Sequence, residues 1–269
     1  MKDLYLKGLQ AYHKKIERVL QKNYGIEIEF LDVIGWGHTT TAYFIKTPDK
    51  NYVARVSKYS KQKLKAIKKD IALSNELNTY IPTTKYRKNN SDNFITLFDD
   101  KILRLSEHIN GLFHYDMDDK TLSSAVKMLH KIHQLKPNVI DLAKVKNSSK
   151  HVFLHGDLTP ANIIQSYSKV TGILDFEMAL YGPPEWDLAI TAVFSWLKMK
   201  NTEYLKIYGL IKKNYKDKID KELFMKYSVK HLKTYHKNIQ KNKNKYKHLG
   251  DYKLDVERTY NKLKELSKL

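Results

Sequence analysis

The spacing of three polar residues constrains this chain more than any other feature in it. Asp157 lies in His155-Gly156-Asp157-Leu158-Thr159-Pro160-Ala161-Asn162, five residues before Asn162. Asp175 follows Asn162 by thirteen, in Ile173-Leu174-Asp175-Phe176-Glu177. The strand-like runs Asn162 to Gln165 and Val170 to Leu174, broken at Tyr167-Ser168-Lys169, read as one hairpin with Asn162 and Asp175 flanking it. An isolated Asn or Asp at a strand end is ordinary turn chemistry. Together the three form a set suited to phosphoryl transfer. One carboxylate orients or deprotonates an attacking hydroxyl, while an amide oxygen and a second carboxylate hold magnesium on the phosphates.

At 269 residues with 42% apolar content, the chain can bury a sizeable core, in one large domain or two small ones. It has no Cys, which excludes disulfides, thiolate zinc sites and a cysteine nucleophile, and suits a reducing cytoplasm. The longest apolar-rich stretch, Leu188 to Leu197, is half of the roughly 20 residues a membrane span needs. Met1 to Leu20 is a lysine-bearing amphipathic helix pattern without a signal-peptide core. A cytoplasmic location and no membrane partner are the expectation. The net charge of +20 is unevenly spread. Lys198 to Leu269 holds 21 Lys+Arg against 8 Asp+Glu, a net of +13, whereas Lys150 to Leu197 is net −3. The motif is therefore an acidic region inside a basic chain, as a metal-phosphate site would be.

Along the chain, Glu27 to Ile34, Thr41 to Lys46 and Tyr52 to Ser57 read as strands, with breaks at Gly35 to Thr40 and Thr47 to Asn51. Lys61 to Tyr80 is helical, closed by Pro82, and Phe94 to Phe98 with Lys101 to Ser106 forms a hairpin. Thr121 to Leu135 is an amphipathic helix, and beyond Trp186 the pattern is helical, with a lysine-rich break at Lys241 to Lys247. The expected fold class is α+β. It is a two-lobed, protein-kinase-like arrangement, with a β-rich N-lobe bearing one main helix and a mostly helical C-lobe. The expected division is residues 1–107 for nucleotide binding and 108–269 for catalysis and substrate binding, with a hinge near 106–111.

Between Ile28 and Leu197 the chain resembles the aminoglycoside phosphotransferase family, relatives of choline kinase and more distantly of protein kinases. The resemblance is strongest in His155 to Asn162, Leu174 to Glu177, and Gly182-Pro183-Pro184-Glu185-Trp186-Asp187-Leu188-Ala189. Pro183 stands where the family usually has Asp. The resemblance implies Asp157 as catalytic base, Asn162 and Asp175 as magnesium ligands, and His155 and Asp187 as structural supports. It also places a nucleotide loop at Gly35-x-Gly37-x-Thr39-Thr40, lacking the kinase loop's third glycine. Val53-Ala54-Arg55-Val56 resembles the kinase V-A-I-K strand, with Val53 toward the base and Arg55 toward phosphate oxygens. Asp70 is the best acidic helix partner for Arg55, and Glu76 the fallback. Ser106 to Ile109, through Glu107 and Ile109, would present backbone groups to the purine. His133 reads as a satisfied core histidine.

These readings imply magnesium and ATP or GTP, a small hydroxyl-bearing acceptor, and a monomer or dimer. The family's known activities run from antibiotic modification to metabolism. Candidate carboxylates for a polycationic acceptor are Glu177, Glu185 and Asp116, with Asp118 and Asp119 beside them. The basic C-terminal helices leave neutral or anionic acceptors open, so a metabolic kinase of the choline, sugar or nucleoside type is the alternative. A kinase-like protein binding nucleic acid through those helices is a further one, although nucleic acid is not the expected partner.

Overall fold

The computed structural model describes residues 2–36, 40–112, 117–139, 150–199, 201–241 and 252–268. The chain divides into two compact units, Met1–Ile109 and Asn110–Leu269. Gly37, Thr39 and Asp116 lie outside the described residues, as does most of the lysine-rich break at 241–247.

The N-terminal unit is built on an antiparallel sheet. Its strands are β1 (Phe30–Trp36), β2 (Thr40–Lys46), β3 (Asn51–Lys58), β4 (Tyr86–Arg87), β5 (Thr96–Phe98) and β6 (Lys101–Glu107), ordered β1-β2-β3-β6-β4 with β5 also on β6. Alternation decides which side each residue serves. On one face Tyr52, Ala54 and Val56 of β3 and Leu103 and Leu105 of β6 pack with Ile16, Leu20 and Tyr24 of α1 (Lys2–Tyr24). The opening helix therefore covers this face of the sheet. On the other face, Ile102 packs with Tyr86 and with Ile67 and Ile71 of α2 (Lys61–Leu77).

Ser60 starts α2: its side chain accepts the Lys63 N–H at 3.0 Å. Ser60→Ala should cost about 1 kcal/mol in urea unfolding, since an N-cap oxygen satisfies an otherwise orphaned donor. The helix stops at Leu77, three residues before the expected end. Tyr80 and Ile81 both donate to the Leu77 carbonyl in a turn, and Pro82 disfavours helical backbone at Ile81.

The C-terminal unit contains α3 (Asp119–His133), α4 (Glu185–Lys198), α5 (Tyr204–Asn214), α6 (Lys221–Lys241) and α7 (Tyr252–Leu266), with two short strand pairs. In one pair β7 (Val152–Leu154) runs against β10 (Leu180–Gly182); in the other β8 (Ile163–Ser166) runs against β9 (Lys169–Ile173). Tyr167 and Ser168 turn the second hairpin, both at positive φ. Leu122, Val126, Leu129 and Ile132 of α3 and Leu188, Val193 and Trp196 of α4 are fully buried. The α4 helix is apolar on most sides, so it is enclosed by its neighbours. Among the described residues, no helix is long and apolar enough to cross a membrane.

Candidate active site

In the C-terminal unit, β7 leads directly into the motif, and the first turn of α4 holds the motif in place. Asp187 is fully buried. Its Oδ2 accepts the His155 N–H at 2.7 Å and its Oδ1 accepts the Gly156 N–H at 2.8 Å. His133 Nε2 lies 3.2 Å from the same carboxylate, and His133 Nδ1 lies 2.8 Å from the Tyr215 hydroxyl. One turn further along α4, Thr191 Oγ1 donates to the Leu158 carbonyl at 2.7 Å. The loop is thus fastened on both sides of Asp157 by one helix face. Thr191→Val should cost about 1–2 kcal/mol in chemical denaturation, because it leaves the buried Leu158 carbonyl without that donor.

His155 is fully buried and spans the loop. Its Nε2 lies 2.9 Å from the Leu174 carbonyl, and its Nδ1 accepts the Asp157 N–H at 3.2 Å. A carbonyl only accepts and an amide N–H only donates, so these partners select the Nε2–H tautomer. Gly156 has φ +85, and a Cβ there would sit 2.3 Å from the Met178 carbonyl oxygen. Glycine is required at this point on both counts.

Asp157 is half-buried. Asn162 Nδ2 donates to the Asp157 carbonyl at 2.8 Å and to its Oδ2 at 3.2 Å. Both partners are oxygens, which fixes the amide with nitrogen toward Asp157 and leaves Oδ1 as the ligand atom Asn162 can offer. Burial pushes the Asp157 carboxyl up to about 7; the negative charge of Asp175 and, less, of Asp187 add to this, while the Asn162 bond opposes it. Asp175 adopts φ 67 and ψ 74 and receives the Glu177 N–H on Oδ1 at 3.3 Å, capping the 3-10 turn Phe176–Met178. Asp tolerates this left-handed backbone better than most residues because its short side chain bonds locally. Asn162 Oδ1 and the Asp175 carboxylate are hard oxygen donors of the kind magnesium takes, so the residues fit that ion.

The candidate acceptor carboxylates differ in placement. Glu185 is buried, and its Oε1 accepts the Asp220 N–H at 2.8 Å. Its first-turn position points it at the segment before α6, which corrects the expectation of a substrate-facing group. Asp118 caps α3 through the Thr121 N–H at 2.6 Å and accepts the Ser168 hydroxyl at 2.8 Å. Asp119 pairs with Lys206 at 2.8 Å. Glu177 is half-buried beside Asp175.

In the N-terminal unit, Gly35 lies at an irregularity in the β1–β2 register, and a Cβ there would meet nothing within 4 Å. Thr40 Oγ1 and Ser57 Oγ bond at 2.8 Å. Val53 is buried opposite Ser106, and Arg55 Nη1 donates to Ser106 Oγ at 3.3 Å. Asp70 is fully buried, but its partner is Arg104: Nη1 of Arg104 reaches Asp70 Oδ2 at 3.1 Å, joined by the Tyr86 hydroxyl at 2.6 Å and, on Oδ1, the Ser74 hydroxyl at 3.2 Å. This corrects the expected Asp70–Arg55 pairing. Arg55 and Arg104 are direct cross-strand neighbours on one sheet face, and the more buried of the two takes the carboxylate. The Glu107 carboxylate pairs outward with Lys50 at 3.2 Å and Lys85 at 3.3 Å. The Glu107 and His108 N–H groups bond the carbonyls of Lys85 and Asn51, and Ile109 follows half-buried.

Thr191 and Arg104 escaped the sequence reading. Thr191 carried a usable signal, four residues after Asp187 on the same helix face. Arg104 carried none, because its role depends on strand register.

A helix-flanked antiparallel sheet followed by a helical unit with this loop is a protein-kinase-like fold. The model of the phosphotransferase enzyme family matches residues 124–209, from within α3 through the motif and α4 into α5. Choline kinase LicA from Streptococcus pneumoniae is similar in structure, at 17% identity and TM-score 0.63, covering 96% of this chain and 100% of that one. Spectinomycin phosphotransferase APH(9)-Ia, solved with ADP and spectinomycin, gives 14% identity and TM-score 0.61 over 92% and 97%. Macrolide 2'-phosphotransferase MphH from Brachybacterium faecium gives 13% and 0.57 over 93% and 97%. No curated protein sequence matches the chain. The family match spans less than half of the chain, and the structural likenesses show a protein-kinase-like fold.

Proposed function

We propose that the protein transfers the γ-phosphoryl group of ATP or GTP, with magnesium, to a hydroxyl of a small molecule. The observation that carries this reading is the braced loop, in which Asp157 is held by Asn162 while Asp187 fixes the backbone on the preceding side. Asp157 orients the acceptor hydroxyl and takes its proton; a carboxylate raised toward neutrality is well matched to that role. Asn162 and Asp175 would hold the magnesium, which neutralises phosphate charge when bound. Arg55 supplies a permanent cation for phosphate oxygens and the backbone around Gly35 supplies N–H donors. Glu107 and Ile109 offer backbone groups to the purine.

Glu185, Asp118 and Asp119 are each engaged by donors of the chain itself. That favours a neutral or anionic acceptor over a polycation. The test is a panel of hydroxyl compounds, among them choline, an amino alcohol, a macrolide, spectinomycin, a nucleoside and a polycationic aminoglycoside. Each is incubated with protein, magnesium and either nucleotide. Acceptor-dependent release of nucleoside diphosphate is expected, lost on chelation. Release that ignores every acceptor would contradict the proposal, and preference for the polycation would contradict its second part.

A further inference from the structure

A cavity of about 290 Å³ lies entirely within the N-terminal unit, between α2 and the segment before β5. Ile71, Ala72, Phe94 and Ile95 make its apolar wall, and Lys68 and Asn75 bring polar groups to it. The volume is at the small end for ligand sites and suits one ring system with a short polar arm. The polar groups share a character. Asn75 Oδ1 already accepts the Tyr86 N–H at 3.3 Å, so its amide has N–H donors to offer a ligand. Lys68 is exposed and cationic. The helix that carries both holds Lys61, Lys63, Lys65, Lys68 and Lys69 against Asp70 and Glu76, and Asp70 is turned inward onto Arg104. Asp92, near Phe94 in sequence, is paired with Lys88 at 2.8 Å. Donors and positive charge beside an apolar wall complement a hydrophobic body bearing a carboxylate.

We propose that this cavity binds a small aromatic or branched-alkyl carboxylate, its body against Ile71, Ala72, Phe94 and Ile95 and its carboxylate on Lys68 and the Asn75 amide. The site is separate from the phosphotransfer machinery, so it stands or falls independently of that reading. The test is calorimetric titration of the full chain with 1-naphthylacetate and with its uncharged isostere 2-(1-naphthyl)ethanol. Saturable 1:1 binding of the acid is expected, with the alcohol about tenfold weaker or more, since a charge-assisted bond is lost. Lys68→Glu, an exposed change that leaves the fold intact, should weaken the acid about tenfold and spare the alcohol. Ala72→Trp, checked for an unchanged unfolding midpoint, should fill the cavity and abolish both. No saturable binding of the acid, equal binding of acid and alcohol, or binding that survives Lys68→Glu unchanged would each overturn the proposal. So would capture of an acidic peptide at this face with neither small probe bound.

Discussion

Asp157→Asn should lower phosphoryl transfer by about 10²–10⁴-fold, the usual contribution of a positioned general base, and should make the protein more stable at neutral pH. Both effects come from one carboxyl group. Asn cannot accept the hydroxyl proton, yet it keeps the size of Asp and can still accept the Asn162 N–H at 3.2 Å. The stability gain follows from burial, which with Asp175 and Asp187 raises the carboxyl from 3.8 to about 7. The folded state therefore binds this proton more tightly than the unfolded chain does. The stability linked to the proton is complete below about 4 and is lost as pH rises through about 7. At pH 8 the wild type carries a buried charge that the Asn variant lacks. The variant should be more stable there by about 1–3 kcal/mol, and the difference should vanish toward pH 4. Urea titrations at pH 5 and pH 8, without magnesium, would measure it. A variant less stable than wild type at pH 8 would contradict the assigned environment. A gain in stability on losing a functional group is the trade-off expected where activity demands a strained site.

Asp187→Ala should have the largest effect on folding, about 3–5 kcal/mol, enough to unfold a marginal protein. The carboxylate serves the N–H groups of His155 and Gly156 and the ring of His133, all in the buried interior. Removing it strands these donors together, and water has no room to replace it without a cavity. Asp187→Asn should be milder, because its amide keeps one accepting oxygen. Its NH₂ group would face a donor, so it should still fall below wild type. Denaturant midpoints of the two variants measure this. A loss below about 1 kcal/mol for the alanine variant would mean that the loop is held by something else. Turnover should fall in both, since the loop that positions Asp157 loses its fastening.

Legibility in the sequence tracked how local each contact was. The motif from His155 to Asn162, the hairpin after it and Asp187 on the next helix are close in sequence and carry unusual residue types at fixed offsets. Thr191 was within reach by the same logic, because i and i+4 share a helix face. The Asp70 partnership was not legible. Arg55 and Arg104 are almost fifty residues apart, and only strand register shows that they stand side by side with the carboxylate nearer Arg104. Glu185 failed differently: an acidic residue in a helix's first turn normally faces solvent, favoured there by the dipole, but here the Asp220 amide meets it in the interior. The opening helix was legible as amphipathic, but that its stripe of Ile16, Leu20 and Tyr24 covers the sheet depends on distant strands and was not.

On the proposed function, a small hydroxyl compound receives the phosphoryl group at Asp157. It is tested most directly by following γ-labelled nucleotide with magnesium and the preferred acceptor, in wild type and Asp157→Asn side by side. Label should move onto the organic hydroxyl in the wild type, and in the variant that transfer should be lost while nucleotide binding persists. Label released only to water, or transferred equally by both proteins, would contradict it.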